Sequence, residues 1–118
     1  MSRIDKTESA IGVTRGTWAA DVDPDDYDTV IGVGIDAQGN VVKGDGQTGV
    51  IGVCIPTKVA RKAGDRCDIF GNGSEVLEVP GLAAGTKYYA TAAGVLGVVN
   101  TDTYIGFTVE ADRLIVVL

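Results

Sequence analysis

The sequence predicts an all-β domain, a small barrel or sandwich of about 8–10 short strands behind a polar N-terminal arm. Three observations carry that prediction. Apolar residues alternate or come in short runs, broken every few positions by Gly, Asp, Asn or Pro. Valine and isoleucine supply most of the apolar content, which suits a pleated, half-buried surface. No window holds the i, i+3, i+4, i+7 pattern of an amphipathic helix through three turns. At 118 residues the chain is one domain by size, long enough to bury a core without staples.

Residues 1–29 read as an arm ending in an acidic loop, and residues 30–118 as the β core. In the core, "TVIGVGID" and "VVKG" flank a hairpin turn at residues 36–40, where Asp, Gly and Asn supply the turn chemistry. "TGVIGVCI" follows across "GDGQTG". The stretch "PTKVARKAGD", residues 56–65, has only Val59 and Ala60 as apolar anchors, so one helical turn or a loop fits it. "CDIF" and "EVLEV" are joined by "GNGS", which reads as a second hairpin. After "PGLAAG" come "TKYYATA", "GVLGVV" and "TYIGFTVE", and a turn at Ala111-Asp112 leads into the last strand, "RLIVVL".

The tripeptide "IGV" begins at Ile11, Ile31 and Ile51, and "IGF" begins at Ile105. Even spacing suggests a repeat, but the residues after each tripeptide share no turn, charge or second apolar run. A solenoid needs each repeat to offer the same face to its neighbour, so a repeat is excluded. In a strand, residues two apart share a face and the Gly between them leaves bare backbone on the other. The expectation is a tightly curved barrel in which neighbouring strands approach these glycines.

The chain carries 16 acidic and 10 basic residues, a formal charge of −6. That argues against nucleic acid, which needs clustered Lys and Arg. The longest apolar run, "LIVVL", is too short to span a membrane. "MSRIDKTESA" has no apolar signal core, so synthesis in a cytoplasm is expected. Cys54 and Cys67 form no CxxC or zinc pattern. They read as reduced thiols acting as small core residues, with a disulfide between neighbouring strands as the alternative.

Chemistry has little to work with. "GDGQTG" matches GxGxxG, but a strand and not a helix follows it, so it reads as a glycine-rich hairpin loop. Asp21, Asp23, Asp25, Asp26 and Asp28 crowd eight residues, a density that hard cations use. The EF-hand glycine and glutamate are absent, and a solvated acidic loop around Pro24 is the preferred reading. There is no histidine, hence no Ser-His or Cys-His pair. No enzyme, cofactor or metal is expected, and the tyrosines read as strand packing.

One basic cluster stands out: Lys58, Arg61, Lys62 and Arg66 within nine residues. It is either a solvated loop balanced by Asp65 and Asp68 or a docking site for an acidic protein surface. Trp18, the single tryptophan, is either an interface anchor or the lid of the core. With Arg3, Lys6 and Arg15 of the arm, these residues are the candidate partner contacts.

Two family resemblances follow from the motifs. "LAAGTKY", residues 82–88, resembles the Leu-x-x-Gly-Thr-x-Tyr stretch of fibronectin type III domains, where the Tyr forms a corner between loop and strand. That reading implies a seven-stranded binding module of a larger surface protein, with Trp18 buried between its sheets. The second resemblance runs from about residue 30 to the end. "GVGID…G.VV", "GVIGVCI", "KAGDRCDIFGNGSEVLEV", "GLAAGTKYYATAAGVLG" and "YIGFTVEADRLIVVL" occur in the order of the small all-β decoration (cement) proteins of tailed bacteriophages. It implies a structural virion protein on the outer capsid surface, made in the host cytoplasm. Its partner would be the major capsid protein and it would self-associate as a homotrimer. No catalytic or ligand residues come with that family, and residues 1–29 lie outside the match.

Overall fold

The computed structural model describes residues 13–56, 62–77, 79 and 81–118. Ten strands are present among them: β1 Val13–Thr17, β2 Ile31–Ile35, β3 Val41–Lys43, β4 Gly52–Cys54, β5 Arg66–Phe70, β6 Glu75–Leu77, β7 Lys87–Ala90, β8 Leu96–Gly97, β9 Thr103–Thr108 and β10 Arg113–Val116. The helical content of the described residues is one 3-10 turn at Pro24–Asp26. The strands form two five-stranded antiparallel sheets, ordered β1-β5-β4-β2-β3 and β6-β10-β9-β7-β8. The domain is therefore all-β and sandwich-like, and the single tightly curved barrel of the sequence expectation gives way to two sheets.

The first sheet is nevertheless strongly curled. Its two edges touch through one parallel bridge, Trp18↔Val41, and the Ala19 N–H donates to the Val41 carbonyl at 3.0 Å. Gly16 of β1 permits that approach, since a Cβ there would run into the Val41 side chain. The concave face encloses one core cluster: Trp18, Val22, Ile31, Val33, Val41, Cys54, Cys67 and Ile69. A second cluster lies between the sheets. It joins Val30 and Val53 to Val76, Val79, Ala90, Ile105, Leu114 and Val116.

Val13–Thr17, which the sequence reading assigns to an N-terminal arm, is an edge strand paired with β5 from Val13↔Phe70 to Thr17↔Arg66. The segment after it runs over the first sheet and is pinned there. The Trp18 N–H donates to the Asp65 carbonyl at 2.9 Å, and the Asp28 N–H donates to the Pro56 carbonyl at 2.8 Å. Lys43 reaches Asp26 at 2.9 Å.

Two hairpins expected from sequence are corrected. β3 and β4 lie on opposite sides of β2, so "GDGQTG" crosses over β2 instead of turning a hairpin. It is held by Gln47 N–H to the Ile35 carbonyl at 2.7 Å and Gly44 N–H to the Gly32 carbonyl at 2.9 Å. "GNGS" links β5 of the first sheet to β6 of the second. The hairpin at residues 36–40 is present, with the Asp36 N–H on the Asn40 carbonyl at 2.9 Å and Gly39 at φ 84°. β9 and β10 also form the expected antiparallel pair across the 111–112 turn.

The tripeptides do different things. Ile31 and Val33 enter the concave cluster while Gly32 faces the second sheet, where a Cβ would lie 2.9 Å from Ala90 Cβ. At the next copy the two side chains part, and Ile51 packs against the concave cluster. Val53 joins the inter-sheet core, and a Cβ on Gly52 would meet the Phe70 carbonyl oxygen at 2.6 Å. At "IGF", consecutive Tyr88 and Tyr89 of β7 face Gly106 and Tyr104 of β9, which are two apart. The extra residue is a β-bulge. It turns Ile105 into the core at 0 % exposure and leaves Phe107 outside at 37 %, against the expectation that the two share a face. Ile11 and Gly12 of the first copy lie outside the described residues.

Candidate functional site

Of the candidate contact residues that the structure describes, Arg15, Lys62 and Arg66 lie at one edge of the first sheet. Arg15 on β1 stands opposite Asp68 on β5, and Thr17 opposite Arg66. Arg15 Nε donates to Asp68 Oδ1 at 3.2 Å, with the side chains 63 % and 50 % exposed. At that exposure the pair is screened and holds geometry more than it stabilises. Lys62 lies in the turn before β5, its backbone N–H on Asp65 Oδ2 at 3.0 Å. Gly64, at φ 88°, closes that turn. Trp18 belongs elsewhere: it is 4 % exposed in the concave core, so it is the lid of the core and has no surface to offer as an anchor. Arg3, Lys6, Lys58 and Arg61 lie outside the described residues.

β1 and β5 overhang the second sheet, and beneath them opens a groove of about 690 Å³. Arg15, Arg66 and Asp68 line one side, Glu75 and Val76 of β6 the other, with Phe70 between. Cys54 and Cys67 also line it. The ladder between β4 and β5 consists of one register pair, Val53↔Phe70. Both cysteines are free thiols, and they are hydrogen-bonded to each other. Cys54 acts as the donor, so its own thiol is pushed well up, first by that bond and then by burial. Cys67 accepts, which lowers its thiol below the usual range, with a backbone hydrogen bond at Gly16 adding to the effect.

The acidic run is engaged in structure. Asp21 Oδ1 accepts from the Ala63 N–H at 2.9 Å, Asp23 caps the 3-10 turn by accepting from the Asp25 N–H at 2.9 Å, and Asp26 holds Lys43. Among the described residues no three acidic or sulfur ligands converge as a metal site would require. A smaller cavity of about 250 Å³ lies beside them, lined by Trp18, Val22, Asp21, Asp26 and Lys43.

A further surface escaped the sequence reading. On the outer face of the second sheet, Phe107 stands between Lys87 and Ile115, and Tyr89 stacks obliquely on Tyr104 with ring centroids 5.4 Å apart. None of the four apolar or aromatic side chains belongs to either core cluster. The sequence reading put Phe107 on the same face as Ile105, and the bulge at Ile105 is what turns Phe107 outward.

The fibronectin-like stretch does form a corner. Tyr88 is buried and its hydroxyl accepts from the Ala83 N–H at 2.7 Å. It does so within ten strands split five and five, not the seven which that reading implied. No helix among the described residues is long and apolar enough to cross a membrane. No protein-family model matches the chain, and no curated protein matches it in sequence. Among solved structures, a chain from Mycobacterium phage Patience has a similar fold, with a TM-score of 0.77 and 22 % identity. The match covers 98 % of this chain and 95 % of that one.

Proposed function

We propose that this chain is a structural virion protein that binds the outer surface of an assembled phage capsid and stabilises its lattice. The observation that carries the reading is the fold shared with a phage chain over nearly the whole length of both. The order of glycine-and-turn motifs from residue 30 to the last strand supports it. The partner is the major capsid protein, and the protein acts as a homotrimer without catalytic chemistry. A protein that binds assembled lattice and not free subunits stabilises the assembly by mass action alone. Trimers multiply a modest contact through multivalency. The exposed basic edge of Arg15, Lys62 and Arg66 supplies the docking charge for an acidic patch on the capsid surface.

Co-sedimentation of the purified chain with expanded capsids of its source phage tests the proposal. Saturable binding to capsids, none to free capsid subunits, and greater capsid resistance to heat are expected. Arg15→Ala with Arg66→Ala weakens binding by about tenfold or more and flattens its salt dependence. No association with expanded capsids at any salt concentration overturns it.

A further inference from the structure

Cys54 and Cys67 sit where the first sheet is least continuous. β5 carries β1 with it through five register pairs, yet among the described residues its register with β4 is the one pair Val53↔Phe70. The β1–β5 pair is thus attached to the rest of its sheet by one rung, the Trp18↔Val41 bridge and side-chain packing. Cys54 follows Val53 directly, and Cys67 lies on the same concave face of β5 as Ile69. The two side chains share one buried cluster, and both are among the residues lining the groove under β1 and β5, Cys54 at 2 % and Cys67 at 6 % exposure.

We infer that Cys54 and Cys67 form an oxidative cross-linking site, closing to an intramolecular disulfide that bolts β5 to β4 when the protein meets a small-molecule disulfide. The inference does not depend on capsid binding. By the Val53↔Phe70 register Cys54 stands opposite Ile69, and Cys67 is its diagonal neighbour on the same buried face, a spacing from which a small shift of β5 along β4 closes the bond. The groove supplies the entry path that a buried pair otherwise lacks.

The chemistry balances with glutathione disulfide as oxidant. Cys67, whose proton leaves first because Cys54 donates to it, attacks one sulfur of the disulfide as the thiolate. A protein–glutathione bond forms and one glutathione thiolate departs. Cys54 then loses its proton and attacks the Cys67 sulfur, forming the Cys54–Cys67 bond and releasing the second glutathione. Two protein thiols are oxidised, one small disulfide is reduced to two thiols, and the two protons pass to those thiolates.

The test incubates the folded full chain in glutathione buffers of increasing oxidation, quenches with acid, and maps thiols by alkylation and peptide mass spectrometry. The expected product is a monomer lacking two hydrogens, with a single peptide cross-linked between Cys54 and Cys67. Cys54→Ala should instead trap a glutathione adduct on Cys67. In the oxidised protein, amide exchange across β1 and β5 should slow by about tenfold or more. If that variant is poorly folded, the wild-type mapping decides alone. Two alkylatable thiols at every potential, a lasting glutathione adduct on the wild type, or a bond between two chains would each overturn the inference.

Discussion

The two sheets solve the same burial problem in opposite ways. The first curls until its edges touch at Trp18↔Val41 and encloses a cluster of its own, while its convex side contributes Val30 and Val53 to the inter-sheet core. Apolar side chains thus lie on both its faces, and β2 is buried along four of its five residues. The second buries one face and presents Lys87, Tyr89, Tyr104, Phe107 and Ile115 on the other. Its strands show the alternation of a half-solvated antiparallel sheet, as in β10 with Leu114 and Val116 at 0 % exposure and Ile115 between them less buried. Both sheets need Gly where backbones crowd, at Gly16, Gly32 and Gly52 in the first and at Gly106 in the second, where a Cβ would run into the Ile115 carbonyl. What sets the first apart is its closure at Trp18↔Val41, whereas the second spreads its burial over rows of alternating side chains.

That difference predicts where substitutions hurt. Trp18→Ala removes the side chain that seals the curled sheet at its seam, and should cost about 3–5 kcal/mol of unfolding free energy. Phe107→Ala, on the open face of the second sheet, should cost under about 1 kcal/mol, the scale of a cross-strand pair. Urea unfolding of both variants measures the contrast. Comparable losses would mean that the second sheet's outer face is covered in solution, and would break the comparison.

Glycines sharpen it at the next scale. An alanine at Gly32 would bring Cβ to 2.9 Å from Ala90 Cβ and 3.2 Å from Val50 Cγ1, so one layer must shift. The expected cost is about 1–3 kcal/mol. Gly97 on β8 has nothing within 4 Å of such a Cβ, so Gly97→Ala should leave stability unchanged or raise it by about 0.4–1 kcal/mol through the unfolded chain. Thermal melts of the two variants should therefore move in different directions. A drop at Gly97 matching that at Gly32 would show that the space around a Cβ does not set the cost of these substitutions.

These contrasts also mark what the sequence could disclose. Local signals were legible: the 36–40 hairpin, the β9–β10 turn and the corner at Tyr88 each depend on residues close in the chain. The all-β class followed from alternation. What could not be read was which sheet each strand joins. "GDGQTG" and "GNGS" carry the same positive-φ chemistry whether they turn a hairpin, cross over a strand or connect two sheets. The role of Trp18 was undecidable for a related reason. Its burial depends on β1 pairing with β5 some 53 positions away, as Arg15 and Asp68 show, and nothing local in "RGTWAAD" specifies that partner. The basic edge was half visible, since Arg66 was flagged with its neighbours, but Arg15 joins it only through the same long-range pairing.

A loss smaller than those at Trp18 and Gly32 concerns the corner of the second sheet. Tyr88 packs its ring under the 82–86 loop and accepts the Ala83 N–H at 2.7 Å. From the end of β9, Thr108 Oγ1 donates to the Ala83 carbonyl and accepts the Thr86 N–H at 3.0 Å. Tyr88→Phe keeps the ring and removes one acceptor, so the inter-sheet packing stays and a single hydrogen bond is lost. Ala83 is exposed, and water can take over its N–H, which places the loss near the middle of the usual range, about 1 kcal/mol. The urea midpoint should fall with the slope unchanged, because the surface exposed on unfolding is the same. A loss above about 3 kcal/mol would mean that the loop opens as a unit once the corner is cut. In that case the second sheet, like the first, would hang on a single point of closure.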